Sequence, residues 1–306
     1  MTRILINQLN TKTESNYMKQ ILLMAGSLFI TGMSFAQKDS SANNTDTVKV
    51  GNFIIIKKNK GNTVSEPTES RRNNTYELRV ERRPRKRSNV STNWWIMDLG
   101  FANMRDNTDY TAAQTGGYFK TLRAADGPVN QNSYKLINGK SSNVNIWFFM
   151  QKLNLISHVV NLKYGLGLEM YNYRFDTHLS FRKDPQPYVF NDSIAFTKNK
   201  LYVEYLTVPV MLNFNTTPDS RRGLSFSAGV SAGYLTNSRN KQISGERGKQ
   251  KIKGDFNFEP WRVAAIGELG LGPIRLYGSY SLNRLQKDVT RVEQYPYTVG
   301  IRFSNW

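Results

Sequence analysis

No cysteine occurs in the 306 residues. That excludes disulfides, cysteine-ligated metal centres and a lipid on an N-terminal cysteine, and it leaves the compartment open. Histidine is nearly as scarce, with only His158 and His178. Acid is in short supply too: 23 Asp and Glu stand against 42 Lys and Arg, for a net charge of +19. Such a balance often marks a nucleic-acid binder, but an export signal argues against that partner here. Long apolar runs are missing as well, with one exception near the N-terminus.

The exception is "MKQILLMAGSLFITGMSFAQ", Met18 to Gln37. Lys19 supplies a positive n-region, Ile21 to Met33 an apolar core, and Ser34 and Ala36 the small residues before a cut. Too short and too charged at its flanks to span a bilayer, the segment reads as a secretory signal peptide cleaved after Ala36. A retained signal anchor is the competing reading. Residues 1–17 are polar and unlike an n-region, so translation is expected to start at Met18.

Beyond the signal, 37–46 is rich in Ser, Asn, Thr and Asp and reads as a flexible tail. "TVKVGNFIIIKKNKG" (Thr47 to Gly61) is β-prone and suits a short strand or hairpin. "RRNNTYELRVERRPRKR" (Arg71 to Arg87) carries much of the positive excess and reads as a solvated linker beside a membrane. Residues 37–93 are thus expected to form a flexible periplasmic extension, with 94–306 as the folded domain.

From Trp94 the texture changes to strict alternation, in eight runs. They start at Trp94, Asn143, about Val159, Leu201, Gly223, Glu259, Ile274 and Tyr295, and each holds the roughly 9–11 residues of a tilted membrane strand. The connections run about 37, 5, 25, 8, 22, a few, and 10 residues. Long loops at one end and tight turns at the other are the pattern of an outer-membrane barrel. The expected fold is all-β: an eight-stranded antiparallel transmembrane β-barrel.

In "NLKYGLGLEMYNY" (Asn161 to Tyr173), Leu162, Tyr164, Leu166, Leu168 and Met170 share one face, with Asn161, Lys163, Gly165, Gly167 and Glu169 on the other. The polar faces are made of Ser, Gly and Thr with single charges, not the Lys and Glu of a solvated sheet. The apolar face is therefore assigned to lipid. Asp98, Lys163, Glu169, Arg262, Glu268, Arg275 and Arg302 then point into a lumen that side chains just fill. Unpaired charges there would be costly, so a plug of ion pairs and hydrogen bonds is expected. Height along the strands assigns Tyr171, Tyr173, Tyr202, Tyr205, Tyr234, Trp261, Tyr280, Tyr295 and Tyr297 to an outer aromatic girdle. Trp94, Trp95, Phe214 and Trp306 go to an inner one.

A signal ending "SFAQ", the segment "TVKVGNFIII", the strand "WWIMDLGF", the run "YGLGLEMYNYRF", "LTVPVMLNF" and a terminal "YTVGIRF" resemble the outer-membrane β-barrel proteins of Bacteroidetes, a PorT-like group. The resemblance covers about 94–306, more weakly 47–56. It implies an eight-stranded outer-membrane barrel, and one branch belongs to the type IX secretion machinery. Trp306 stands where such barrels usually end in Phe; an aromatic there still suits the signal read by the barrel-insertion machinery.

Little points to chemistry. His178 lies near Asp176 and Ser180, a grouping cheap to obtain by chance in a Ser-rich chain, and His158 falls in a short turn. No metal-ligand spacing occurs, and "YGLGLE" has no following helix and is not a phosphate loop. No enzyme activity and no cofactor are expected. The expected partners are outer-membrane lipid and lipopolysaccharide, the insertion machinery, and a periplasmic or envelope protein held by 37–93. The first function reading is a structural or interaction protein of the outer membrane. The alternatives are a PorT-like subunit of a secretion or envelope complex, and a small-solute pore or rim enzyme.

Overall fold

The computed structural model describes residues 47–50, 53–56, 79–82, 88–218, 223–271 and 274–304. The signal segment and Trp306 lie outside them. The chain forms two compact units, Met1–Lys86 and Arg87–Trp306. In the first, β1 (Thr47–Val50), β2 (Phe53–Ile56) and β3 (Arg79–Arg82) make an antiparallel sheet in the order β1-β2-β3. The expected hairpin is present, with Val48 opposite Ile55. β3, however, arises inside the segment read as linker: its "RVER" pairs Val80 with Ile55, the main-chain ladder overriding the local charge.

The second unit is built on eight long strands: β4 (Val90–Asp106), β5 (Ser142–Ile156), β6 (Val160–Phe175), β9 (Lys198–Asn215), β10 (Leu224–Ser244), β12 (Trp261–Leu271), β13 (Ile274–Ser281) and β14 (Gln294–Phe303). Each pairs antiparallel with its sequence neighbour. β14 returns to β4, with Gly300 opposite Gly100 and Arg302 opposite Asp98, and the ring closes. Closure leaves no free edge in the wall, which satisfies the main chain without water. β4 starts at Val90, four residues before the first alternating run, and β10 continues to Ser244 because the hairpin strand β11 (Gly248–Lys253) extends it. Loop segments add the helix α1 (Tyr110–Thr115) and the hairpin of β7 (Leu179–Arg182) and β8 (Tyr188–Asn191).

The alternation resolves into two surfaces. Outward lie Leu206, Val208, Val210 and Leu212 of β9, Phe226 and Val230 of β10, and Val299, Ile301 and Phe303 of β14, all well exposed. Inward lie serines, asparagines and charges. Burying the polar side and exposing the apolar one reverses the order of a water-soluble protein and fits a surface covered by hydrocarbon.

Four irregularities interrupt this alternation: Trp95 in β4, Phe148 and Leu155 in β5, and Thr236 in β10. Trp94 and Ile96 pair with Phe149 and Trp147, skipping Trp95 and Phe148. Trp95 has φ +54°, and Trp94 and Trp95 both face outward, 64% and 72% exposed, against Phe149 and Phe148. Leu155 is skipped at the turn end of β5, and Thr236 of β10 between Leu235 and Asn237. Below it the odd positions of β10 face inward; from Ser238 the even ones do. An extra residue in one strand has this effect because side chains alternate with period two.

The lumen is tight where β14 meets β4. A Cβ at Gly100 would lie 2.6 Å from the Tyr277 hydroxyl and 2.6 Å from the Val299 carbonyl oxygen. Glycine here is what admits the Tyr277 ring between the facing strands.

Candidate functional site

The interior holds the groups capable of chemistry, and each is placed by strand parity. Asp98, Lys163, Glu169, Arg262, Glu268, Arg275 and Arg302, from β4, β6, β12, β13 and β14, all lie buried inside the barrel. Asp98 is the centre of one cluster. It takes Arg302 in a two-pronged pair, Nε to Oδ1 and Nη2 to Oδ2, both 2.7 Å. Trp147 Nε1 at 2.7 Å and Asn145 Nδ2 at 3.0 Å also donate to Oδ2. Arg302 reaches Glu268 as well, and Glu268 takes Lys163 on its other oxygen. Two acids and two bases thus form one chain across the lumen.

A second cluster lies closer to the long loops. Glu169 Oε2 accepts from Arg262 Nη1 at 2.7 Å and from the Tyr171 hydroxyl at 3.2 Å. Arg262 donates its remaining groups to Ser281 at 2.8 Å and Ser279 at 3.1 Å. At the opposite, short-turn end Arg275 donates to Ser304 at 2.9 Å and Ser225 at 3.0 Å. The many serines of the inward faces are therefore acceptors for guanidinium protons that a carboxylate alone could not satisfy. Tyr277 donates to Asn143 at 2.6 Å, Asn143 donates to Asn145 at 2.8 Å, and Asn145 reaches Asp98, so the tyrosine joins the first cluster.

The aromatic girdle is corrected in part. Trp94, Trp95, Tyr234, Trp261, Tyr280 and Tyr297 face outward; Tyr234 packs edge-on to Trp261 at 5.0 Å. Tyr295 is half-buried, as is Phe214, which stacks on Phe226 at 4.7 Å. Tyr171, Tyr173 and Tyr205 are not girdle residues: they share the parity of Lys163, Glu169 and Thr207, face inward and are buried. Tyr171 lies under the Arg262 guanidinium at 5.0 Å and stacks on Tyr173. Tyr202 has the outward parity but is covered by Arg239, 4.2 Å over its ring, and donates to Glu204 at 2.5 Å.

Above these tyrosines the long connections fold into an apolar cap. Tyr118, Phe119 and Tyr134 of the first loop pack with Phe175, Phe181 and Val189 around the β7–β8 hairpin, and with Phe256, Phe258, Leu285 and Val292 of the later loops. Tyr118 donates to the Phe256 carbonyl at 2.8 Å and Phe119 bridges to Val189. Burial raises the Tyr118 and Tyr134 phenols well above their ordinary value, so both remain neutral. Alternation-based reading misses this cap, because its signal is the isolated aromatics of "GGYFK", "NSYK" and "DFNF", which carry no strand period.

A cleft of about 520 Å³ opens between this cap and the β10–β11 hairpin, lined in part by Arg123, Arg182, Tyr188, Asp192 and Arg247. Asp192 pairs with Arg247 at 2.7 Å and Arg182 at 3.7 Å, and Arg123 holds Asp126 at 3.4 Å. The cations are matched within the cleft.

No catalytic grouping forms around the histidines. Ser180 donates to Asp192 at 3.3 Å, Asp176 pairs with Lys135 at 3.6 Å, and the His178 ring packs on Phe196. His158 lies in the β5–β6 turn with φ +58°. Among the described residues no cluster of three or more His, Asp or Glu could hold a metal ion.

No curated protein matches the chain. The family model described as "outer membrane protein beta-barrel domain" matches residues 101–286, from within β4 to beyond β13 and more than half of the chain. With the closed ring and its apolar exterior, that match settles the class: this chain belongs to the outer membrane protein beta-barrel domain family.

Proposed function

We infer that the protein is a non-enzymatic, non-conducting barrel with a structural or interaction role in the outer membrane, oriented with its long loops outward and residues 37–93 in the periplasm. The observation that carries this reading is the filled interior. The two ionic clusters cross the lumen, and the aromatic cap covers its long-loop mouth. A hydrated ion would have to displace paired, desolvated charges, at a cost of several kcal/mol each. What the barrel offers to the cell is therefore its surface: the ordered cap outside and the apolar wall in the bilayer.

Planar-bilayer recording tests this directly. The reconstituted chain is expected to give no discrete conductance steps at moderate voltage, and regular steps would return the reading to a small-solute pore. Fractionation with gel migration supplies the companion measurement. The protein is expected in the outer-membrane fraction and to migrate differently boiled and unboiled.

A PorT-like role within a secretion or envelope complex is the second reading, and the sheet of β1, β2 and β3 favours it. A sheet in the N-terminal extension is more than a tether needs, and a three-stranded sheet exposes edges to which a partner strand can add. Removing residues 37–88 is expected to abolish recovery of a periplasmic partner in cross-linked pull-downs while leaving barrel migration unchanged. An identical set of recovered proteins with and without the segment would rule the second reading out.

A further inference from the structure

The bulge at Thr236 changes which side chains of β10 face outward above the apolar belt. Below it the outward residues of β9 and β10 are Leu206, Val208, Val210, Val230 and Tyr234. Above it they include Lys198 and Lys200 of β9 and Arg239 and Lys241 of β10, beside Tyr202, Glu204 and Ile243. β6 contributes Arg174 to the same surface, and β11 contributes Lys249, Lys251 and Lys253.

The register aligns these cations. Arg174 is opposite Lys200, Lys200 opposite Lys241, and Lys241 opposite Lys251, giving one row across four strands. At about 4.8 Å between strands the row is roughly 14 Å long. Arg239 opposite Lys253, and Lys198 and Lys249 on either side of Ile243, flank it. Like charges directly opposite one another destabilise a sheet. Among the described residues, none of the eight forms an ion pair with a carboxylate. Their partners are neutral: Lys200 donates to Asn172 at 2.6 Å, Arg174 to the Thr197 carbonyl at 2.7 Å, and Arg239 lies over Tyr202. Glu204, at the lower edge, is engaged by Tyr202 and Thr236. Partial burial, and then the charges of Lys198, Arg239, Lys241 and Arg174, push the Lys200 ammonium below its ordinary value. The fold holds these cations together at a cost that a bound polyanion would remove.

We propose that the outward wall of β6, β9, β10 and β11 is a docking surface for the phosphorylated head group of an outer-leaflet glycolipid. Two features choose that occupant over a soluble anion. On β9 the row stands above Leu206 and Val208 with only Tyr202 and Glu204 between, so one molecule with phosphates and acyl chains reaches both surfaces. The row is also linear, and a head group bearing phosphates at its two ends spans it better than a single compact anion. The proposal rests on the long-loop end facing outward, as argued above.

The test uses the full chain folded in zwitterionic micelles, with bisphosphorylated lipid A and its enzymatically dephosphorylated form as probes. Thermal unfolding followed by gel migration reports the fold, and native mass spectrometry reports bound lipid. The wild type is expected to retain the bisphosphorylated probe and to melt higher in its presence, and the dephosphorylated probe to do neither. The variant Lys200→Gln/Lys241→Gln/Lys251→Gln is expected to bind on the order of a hundredfold more weakly. Without lipid it should melt no lower than the wild type, because like charges have been removed. A control variant, Lys120→Gln/Lys135→Gln/Lys140→Gln, loses the same charge elsewhere in the loops and should bind as the wild type does. Should the row variant fail to fold, the salt dependence of wild-type binding decides: affinity must fall as salt rises. Equal binding by the row variant, equal loss in the control, equal retention of the dephosphorylated probe or salt-independent binding would each overturn the proposal. A wild type with no heat-modifiable form in the micelle strikes at the membrane reading itself. A folded, heat-modifiable wild type that binds nothing strikes at the docking surface alone.

Discussion

Replacing Asp98 with alanine is expected to lower the unfolding free energy by about 3–5 kcal/mol, because it leaves Arg302 charged and buried with half of its partners gone. Asp98 is fully buried and accepts from Arg302 twice, Trp147 and Asn145. Its pairing with Arg302 also joins the last strand to the first, so the loss falls on the closure of the ring. The double variant Asp98→Ala/Arg302→Met removes both charges and is expected to recover most of the loss, since Glu268 keeps Lys163. Denaturant midpoints in phospholipid vesicles measure the cycle. A single variant within about 1 kcal/mol of wild type would mean that water reaches the seam and that the ion pair is screened.

The second large effect tests the outer surface. Val230 lies midway along the apolar part of β10 below the bulge, 51% exposed, between Val210 and Ala265 on the neighbouring strands. Arginine there is expected to cost about 2–4 kcal/mol, the penalty for that charge at the bilayer midplane of a barrel. Val289 is more exposed still, at 70%, but stands in the loop before β14. Val289→Arg should remain within about 0.5 kcal/mol of wild type, as surface changes usually do. The contrast separates hydrocarbon from water as the medium around the wall. Equal, small effects at both positions would place water around β10 and contradict the membrane face.

The alternation carried much of the fold. Each of the eight runs corresponds to a wall strand, because lipid outside and polar packing inside impose opposite demands on successive residues. Parity also leads to the seven buried charges, since a side chain's face follows from counting along its strand. The same count puts Tyr171, Tyr173 and Tyr205 inside. Assigning them by height, as for a girdle, loses the side they face: height along a strand says how near a ring is to the interface, and only parity says which medium it meets. The bulges at Trp95 and Phe148 were not legible, because a skipped residue is defined by the neighbouring strand's register. Nor was the cap, where Tyr118 meets Phe256 across 138 positions of sequence and no local period records the contact.

The extra residue at Thr236 makes β10 a chain with two reading frames. Up to Leu235 one set of positions answers to hydrocarbon, and from Ser238 the complementary set answers to the loops and to whatever anion lies against the wall. Changes on either side of the joint need not respect the other's alphabet. Deleting that single residue would bring the two frames into phase, with Arg239 and Lys241 still outward and Ser238 and Asn240 still inward. A one-residue deletion in a regular stretch of the strand would exchange inside and outside beyond it; at Thr236 it would remove only the bulge, and the joint is the one place in β10 where the strand can lose a residue and keep both its faces.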